Sequence, residues 1–267
     1  SDVPEFAQED PEEGVRPDTN LSPWMGPGGW GYGSMPQLVG QRVQAIGRWG
    51  HAPANANFAA PEEGGLGYTV GRVPMNSCDF GPGDWARTYS FDNVSNDVDL
   101  KYFDDSVAHD VDSGMIPMIK AAQEAITKAG GKLSLFASPW SPPGWMKLPV
   151  EGERSMLRTA VPNGLDPEMQ RPYAKYFSRF ISAYKKHGIP IWGVTVQNEA
   201  EASDVGWEKC VWTPEFQAQF VRDHLGPVLH EEQPGVKIIG FDHNKDHVVP
   251  WAKALYADPK ARAYFDG

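Results

Sequence analysis

Residues 191–200 read IWGVTVQNEA, a short apolar run that ends abruptly in Gln197, Asn198 and Glu199. His187, Gly188 and Pro190 stop whatever precedes it. The run of Ile, Trp, Val, Thr and Val then suits a strand buried on both faces, as in a parallel sheet. Its polar end is the informative one. In α/β barrels the side chains at the carboxyl ends of the strands face the mouth of the active site, so an Asn-Glu pair there stands where chemistry is done. A lone Glu at a strand end serves as readily as a cap or a loop ion pair, but two further stretches weigh against that reading.

Those stretches are residues 66–80, LGYTVGRVPMNSCDF, and residues 133–147, LSLFASPWSPPGWMK. Each opens as an apolar strand (66–75 and 133–137) and ends in polar and aromatic residues. Helices separate the strands. Residues 115–129 put Met115, Ile119, Ala122 and Ile126 on one face, with Gly130 as the stop. Tyr173, Tyr176, Phe177, Phe180, Ile181 and Tyr184 follow the i, i+3, i+4, i+7, i+8 pattern, and Lys185, Lys186, His187 and Gly188 close that helix in agreement with its dipole. These aromatics are core residues, not a binding stripe. Thr213 and Pro214, in N-cap and first-turn order, open a further helix with Phe216, Phe220, Val221, Leu225 and Val228 inward. Residues 237–241 form another strand, ending in Asp242, His243 and Asn244, and a last helix lies around 250–256. Strand and helix alternate from Leu66 onward. Such repeats build either an open doubly wound sheet or a closed barrel. Spacing alone leaves both open, although no Gly-rich phosphate fingerprint favours the open sheet.

Composition bounds the rest. The 267 residues are 40% hydrophobic and 22% charged, material for one sizeable core. A net charge of -11 without a cluster of Lys and Arg argues against a nucleic-acid partner. No run approaches the ~20 apolar residues of a transmembrane helix. Ser1-Asp2-Val3-Pro4 has neither a basic nor an apolar leader region, which suggests a removed signal or a fragment. Cys78 and Cys210 are too few for a disulfide framework or a zinc cluster. His243 and His247 have H-x3-H spacing but no obvious third ligand, so no metal is expected, and no cofactor. Residues 1–64 are rich in Gly, Pro, Asp and Glu without a sustained period of 2 or 3.6, and read as an irregular N-terminal segment.

Arg-Val-Pro with Ser-Cys-Asp-Phe at 72–80, Ala-Ser-Pro-Trp at 137–140 with Pro142, Pro143 and Trp145, and Asn198-Glu199 on a third strand together closely resemble glycoside hydrolase family 30. Within it they resemble the glucosylceramidase (acid β-glucosidase) branch, and the resemblance covers roughly residues 65–267. It implies a (β/α)8 TIM-type barrel, present here as an incomplete barrel of about strands 2 to 5. It also implies a retaining glycosidase that cleaves glucosylceramide or a related β-glucoside. Endo-β-1,6-glucanases and xylanases belong to the same wider family and stand as alternatives.

Residue by residue, the resemblance implies that Glu199 is the general acid/base, which must carry a proton to the leaving oxygen. It gives Asn198 the sugar's 2-OH and Asp79 the distal hydroxyls, with Phe80 shaping the same pocket. Trp140 would offer an apolar face to the sugar and an indole N–H donor. Arg72 would orient the nucleophilic carboxylate, and Trp207 would line the aglycone entrance. Trp145 reads as packing, and both cysteines as free, mostly buried thiols. Glu201 lies too close to Glu199 in the chain to be its partner, because a retaining pair acts from opposite sides of the sugar, roughly 5 Å apart. The family's nucleophile belongs to the seventh strand, beyond the part matched by Gly267, so this chain is expected to lack it. A catalytically inactive sugar-binding protein is the alternative. The implied substrate, a β-glucoside or glycosphingolipid, brings with it peripheral contact with a lipid surface and a lysosomal or secreted setting.

Overall fold

The computed structural model describes residues 67–79 and 88–267. The irregular segment expected over 1–64 lies outside the described residues, as does Phe80.

Four strands form one parallel sheet: β1 (Val70–Met75), β2 (Ser134–Pro139), β3 (Ile191–Thr195) and β4 (Lys237–Ile239), in the spatial order β1-β2-β3-β4. The register sets Val73 beside Ala137, Ala137 beside Val194 and Val194 beside Ile238. These four side chains are buried, so an apolar layer crosses the whole sheet. Between β2 and β3 the register slips after the Leu135–Ile191 pair, leaving Trp192 as an extra residue on β3. Trp192 is accordingly exposed, as the odd residue of a bulge is free to be.

Among the described residues seven α-helices follow one another in chain order: α1 (Ala108–Asp112), α2 (Met115–Lys128), α3 (Gln170–Lys186), α4 (Pro214–Phe220), α5 (Gly226–Glu232), α6 (Val248–Ala257) and α7 (Pro259–Arg262). The long connections between the parallel strands carry α1 to α5, as parallel pairing requires, and α6 and α7 follow β4. Thr213 caps α4, its hydroxyl accepting from Phe216 N at 3.2 Å, with Pro214 in the first turn. A π-helical turn, Val221–Leu225, joins α4 to α5. Pro227 follows after Gly226; it has no N–H to give and its ring crowds the preceding turn, in keeping with the local widening. Gly226 is required there, because a Cβ would stand 2.3 Å from the Tyr264 ring.

The aromatic face of α3 forms the centre of the core. Tyr173, Tyr176, Phe177, Phe180 and Tyr184 are all fully buried. Phe177 meets Tyr173 edge to face at 4.9 Å, and Phe180 lies 4.4 Å from Tyr184. Two of these tyrosines also hold polar groups. The Tyr176 hydroxyl accepts from Phe91 N at 2.8 Å and donates to Asn76 Oδ1, fixing the turn that leaves β1. The Tyr184 hydroxyl donates to Asp110 at 2.5 Å, and Tyr89 reaches the same buried carboxylate at 3.3 Å. The helix therefore fixes both the apolar layer and the loop that follows β1. At the far edge, Asp266 N donates to Ile238 O and Gly240 N to Gly267 O, each at 2.8 Å, so residues 266–267 lie along β4.

Candidate active site

The carboxyl ends of all four strands converge on the guanidinium of Arg72. Its Nε donates to Ser138 Oγ of β2 at 3.0 Å, while Nη2 donates to Asn198 Oδ1 at 2.7 Å and to Asp242 Oδ2 at 2.6 Å. Thr195 of β3 completes the set, its hydroxyl donating to Asp242 Oδ2 at 2.7 Å and lying 2.8 Å from Ser138 Oγ. Alternation along parallel strands explains this: Arg72, Ser138 and Thr195 project to one face, opposite the apolar layer. The guanidinium also lies over the Trp140 ring, 4.6 Å from its centre. Arg72 thus ties four strand ends together and stacks on an aromatic face.

Asn198 is buried and held by its backbone as well, its N–H donating to Pro139 O at 2.8 Å. Asn198 also forms an isolated parallel bridge with Asp242, and the next amide, Glu199 N, donates to Asp242 O at 2.8 Å. Glu199 itself has φ of 48°. This left-handed conformation turns the chain off the strand, and a non-glycine residue keeps it only where its surroundings impose it. Below them, Gln197 donates to Trp140 O at 2.7 Å and accepts from the Trp212 indole at 3.3 Å. The loops bearing Trp140 and Glu199 are therefore bound to each other.

Asp79 stands across from Glu199. Burial first, and the charge of Glu199 second, push its carboxyl up to about 6, although a hydrogen bond from Trp140 works the other way. Its Oδ1 is buried without a hydrogen-bond partner among the described residues. A carboxyl oxygen so placed is an acceptor waiting for a donor.

The structure thus brings Arg72, Asp79, Trp140, Asn198 and Glu199 into one cluster. Trp207, in the loop after β3, is partly exposed and makes no hydrogen bond or ring contact with another described residue. Trp145 is buried and donates to Asp92 O at 3.0 Å, in keeping with its reading as packing. Asp242 is the residue that sequence reasoning passed over. Its signal, an Asp directly after an apolar strand, was visible, but its partners lie on three other strands.

Loop support comes from Lys147, fully buried, whose ammonium donates to Met156 O at 3.2 Å and to Lys209 O. Burial pushes it down to about 8. Cys78 and Cys210 are both buried, and burial pushes the Cys210 thiol up to about 11. Among the described residues no group of three or more His, Cys, Asp or Glu could hold a metal ion. No described helix is long and apolar enough to cross a membrane.

Parallel strands in chain order, each with a helix before the next, and polar groups gathered at their carboxyl ends, define part of an α/β barrel. The Glycosyl hydrolase family 30 TIM-barrel domain matches residues 58–267, and the chain belongs to this glycosidase family. It is 38% identical over 209 residues to a Caenorhabditis elegans protein that carries the name "Putative glucosylceramidase 3", covering 76% of this chain and 37% of that protein. It is 34% identical over 208 residues to the lysosomal acid glucosylceramidase of Mus musculus, covering 76% of this chain and 38% of that protein. The crystal structure of SrfJ from Salmonella typhimurium superimposes with a TM-score of 0.70 at 26% identity, over 88% of this chain and 48% of SrfJ. The chain thus spans less than half the length of each of these relatives.

Proposed function

We propose that the chain forms the acid/base half of a retaining β-glucosidase site whose substrate is glucosylceramide or a closely related β-glucoside. The observation that carries this reading is the Arg72 cluster, which fixes Asn198 and, through Asp242, the backbone of Glu199 at the mouth of the sheet. Glu199 gives its proton to the leaving glycosidic oxygen and later takes one from water. Asn198, next to it and anchored on both backbone and side chain, holds the sugar's 2-OH, a bond that tightens as positive charge develops on the sugar ring. Asp79, with its open Oδ1, receives distal hydroxyls beside Phe80, and Trp140 offers its ring and indole N–H. Trp207 lines the route taken by the aglycone.

In this reading Arg72 also orients a second carboxylate that attacks the anomeric carbon. Glu201 is not that carboxylate, since it turns away to pair with His247. In this reading the nucleophile comes from outside the described residues. The names of the relatives support glucosylceramide as the substrate, and with it peripheral contact with a lipid surface and a lysosomal or secreted setting. The test pairs turnover with binding. Hydrolysis of a fluorogenic β-glucoside at mildly acidic pH is measured for a version of the protein that includes the remaining barrel strands and for its Glu199→Gln variant, together with the tryptophan fluorescence change on adding the glucoside. Hydrolysis that is lost in Glu199→Gln supports the assignment; equal hydrolysis in both removes it. A fluorescence change without product, abolished in Trp140→Ala, identifies a sugar-binding module instead.

A further inference from the structure

The loops after β3 and β4 are joined beyond their strand ends. His247 Nδ1 lies 2.9 Å from Glu201 Oε2, a contact across 46 positions of chain, and the Trp251 indole of α6 faces the same carboxylate. The other titratable groups that face the pair among the described residues are His243, stacked on Phe241 at 5.7 Å, and Asp246 beside His247. Glu201 follows Glu199 by two residues, and the chain turns between them: Glu199 is left-handed and its carbonyl accepts from Ala202 N at 2.9 Å. Nothing in the roles given to the sugar-binding cluster uses this pair.

We infer that Glu201 and His247 are positioning residues for Glu199: their ion pair clamps the 199–202 turn onto the loop after β4 and so fixes the backbone from which the Glu199 carboxyl projects. The inference rests on the reading of Glu199 as the proton donor. The hydrogen bond that its ring N–H donates to Glu201, followed by the charge of Glu201, raises His247 above its ordinary value. Burial opposes the charge of Glu201, but the Trp251 indole and His247 outweigh it and hold that carboxyl below its usual range. The imidazole is charged only when protonated, so the clamp is tight in acid and loosens as His247 loses its proton.

The test uses the isotope-labelled 267-residue chain between about pH 5 and pH 8, the range in which imidazoles titrate. The His247 ring is titrated by NMR, and hydrogen-exchange protection of the Glu199 and Ala202 amides is measured after correction for intrinsic exchange. Protection is expected to be about two- to fivefold greater below the His247 midpoint than above it, the range of a partly exposed ion pair. Glu201→Gln is expected to lower the His247 midpoint and to remove the step in protection, and His247→Gln to remove the step as well. Protection that ignores the midpoint in the wild-type chain, or a step that survives in Glu201→Gln, overturns the inference. Neither readout involves turnover, so a failure of Glu199 as proton donor, seen in hydrolysis, is separately visible.

Discussion

Arg72 and Asp242 meet at 2.6 Å although 170 positions separate them, one in the first strand of the sheet and the other just past the fourth. Their side chains are 30% and 20% exposed, so the pair is partly desolvated and only partly screened by water. Asp242 is also the acceptor for Thr195, and it shares the Arg72 nitrogen with Asn198. Asp242→Asn keeps the shape and removes the charge. It is expected to lower stability by about 1.5–3 kcal/mol, the range for a lost hydrogen bond to a charged group, as read from urea unfolding. It is also expected to weaken sugar binding, because Arg72 then has less to hold it against Asn198.

Asp79 gives a pH-dependent prediction. Its carboxyl is raised from 3.8 to about 6 in the folded chain, so the fold binds the proton more tightly than the unfolded chain does. The stability this contributes is fully present below 3.8 and is lost as pH rises through about 6. Asp79→Asn cannot titrate. Relative to that variant, the wild-type chain is expected to lose stability between those limits and to change no further above them, measured as urea midpoints at several pH values.

Lys147 gives a prediction with the opposite slope. Burial lowers it from 10.5 to about 8, so over that window the folded chain has released a proton that the unfolded chain still holds. Stability is therefore expected to rise with pH from about 8 to 10.5. Lys147→Met should show no such rise. An equal rise in both chains, by thermal or urea unfolding, would assign it to another group.

Phe177 packs against Tyr173 on the buried face of α3. Phe177→Ala is expected to destabilise the chain by about 3–5 kcal/mol, the usual cost of removing a buried aromatic ring, read from urea unfolding. An effect below ~1 kcal/mol would mean that the helix does not seal the core.

Much of this frame was legible in the residues. The α3 aromatics advertise their face through 3.6-residue spacing, and Thr213-Pro214 announces the start of α4, because both signals are local. Strand lengths were less legible: residues 191–197 read as one strand, but regular pairing stops at Thr195 and the chain leaves the ladder to make the turn at Glu199. The bulge at Trp192 and the π turn before Pro227 depend on how neighbours fit and leave no distinct pattern. In the site, Asn198 and Glu199 stood out because they end an apolar run. Asp242 ended a similar run, but its significance lies in Arg72, Thr195 and Asn198, which no local pattern connects to it. His247 and Glu201 were hidden for the same reason, since each sits in a polar loop whose partner lies 46 positions away.

The spatial order of the strands is their order along the chain. Each strand therefore docks on the one made just before it, and none has to wait for a later segment to be threaded between neighbours already in place. Such a sheet can grow from one side as a polypeptide leaves the ribosome, with every new strand meeting a template already formed. Along the chain the Arg72 guanidinium's partners follow the same order, Ser138, then Asn198, then Asp242, so a sheet grown in that way would complete the site one partner per added strand.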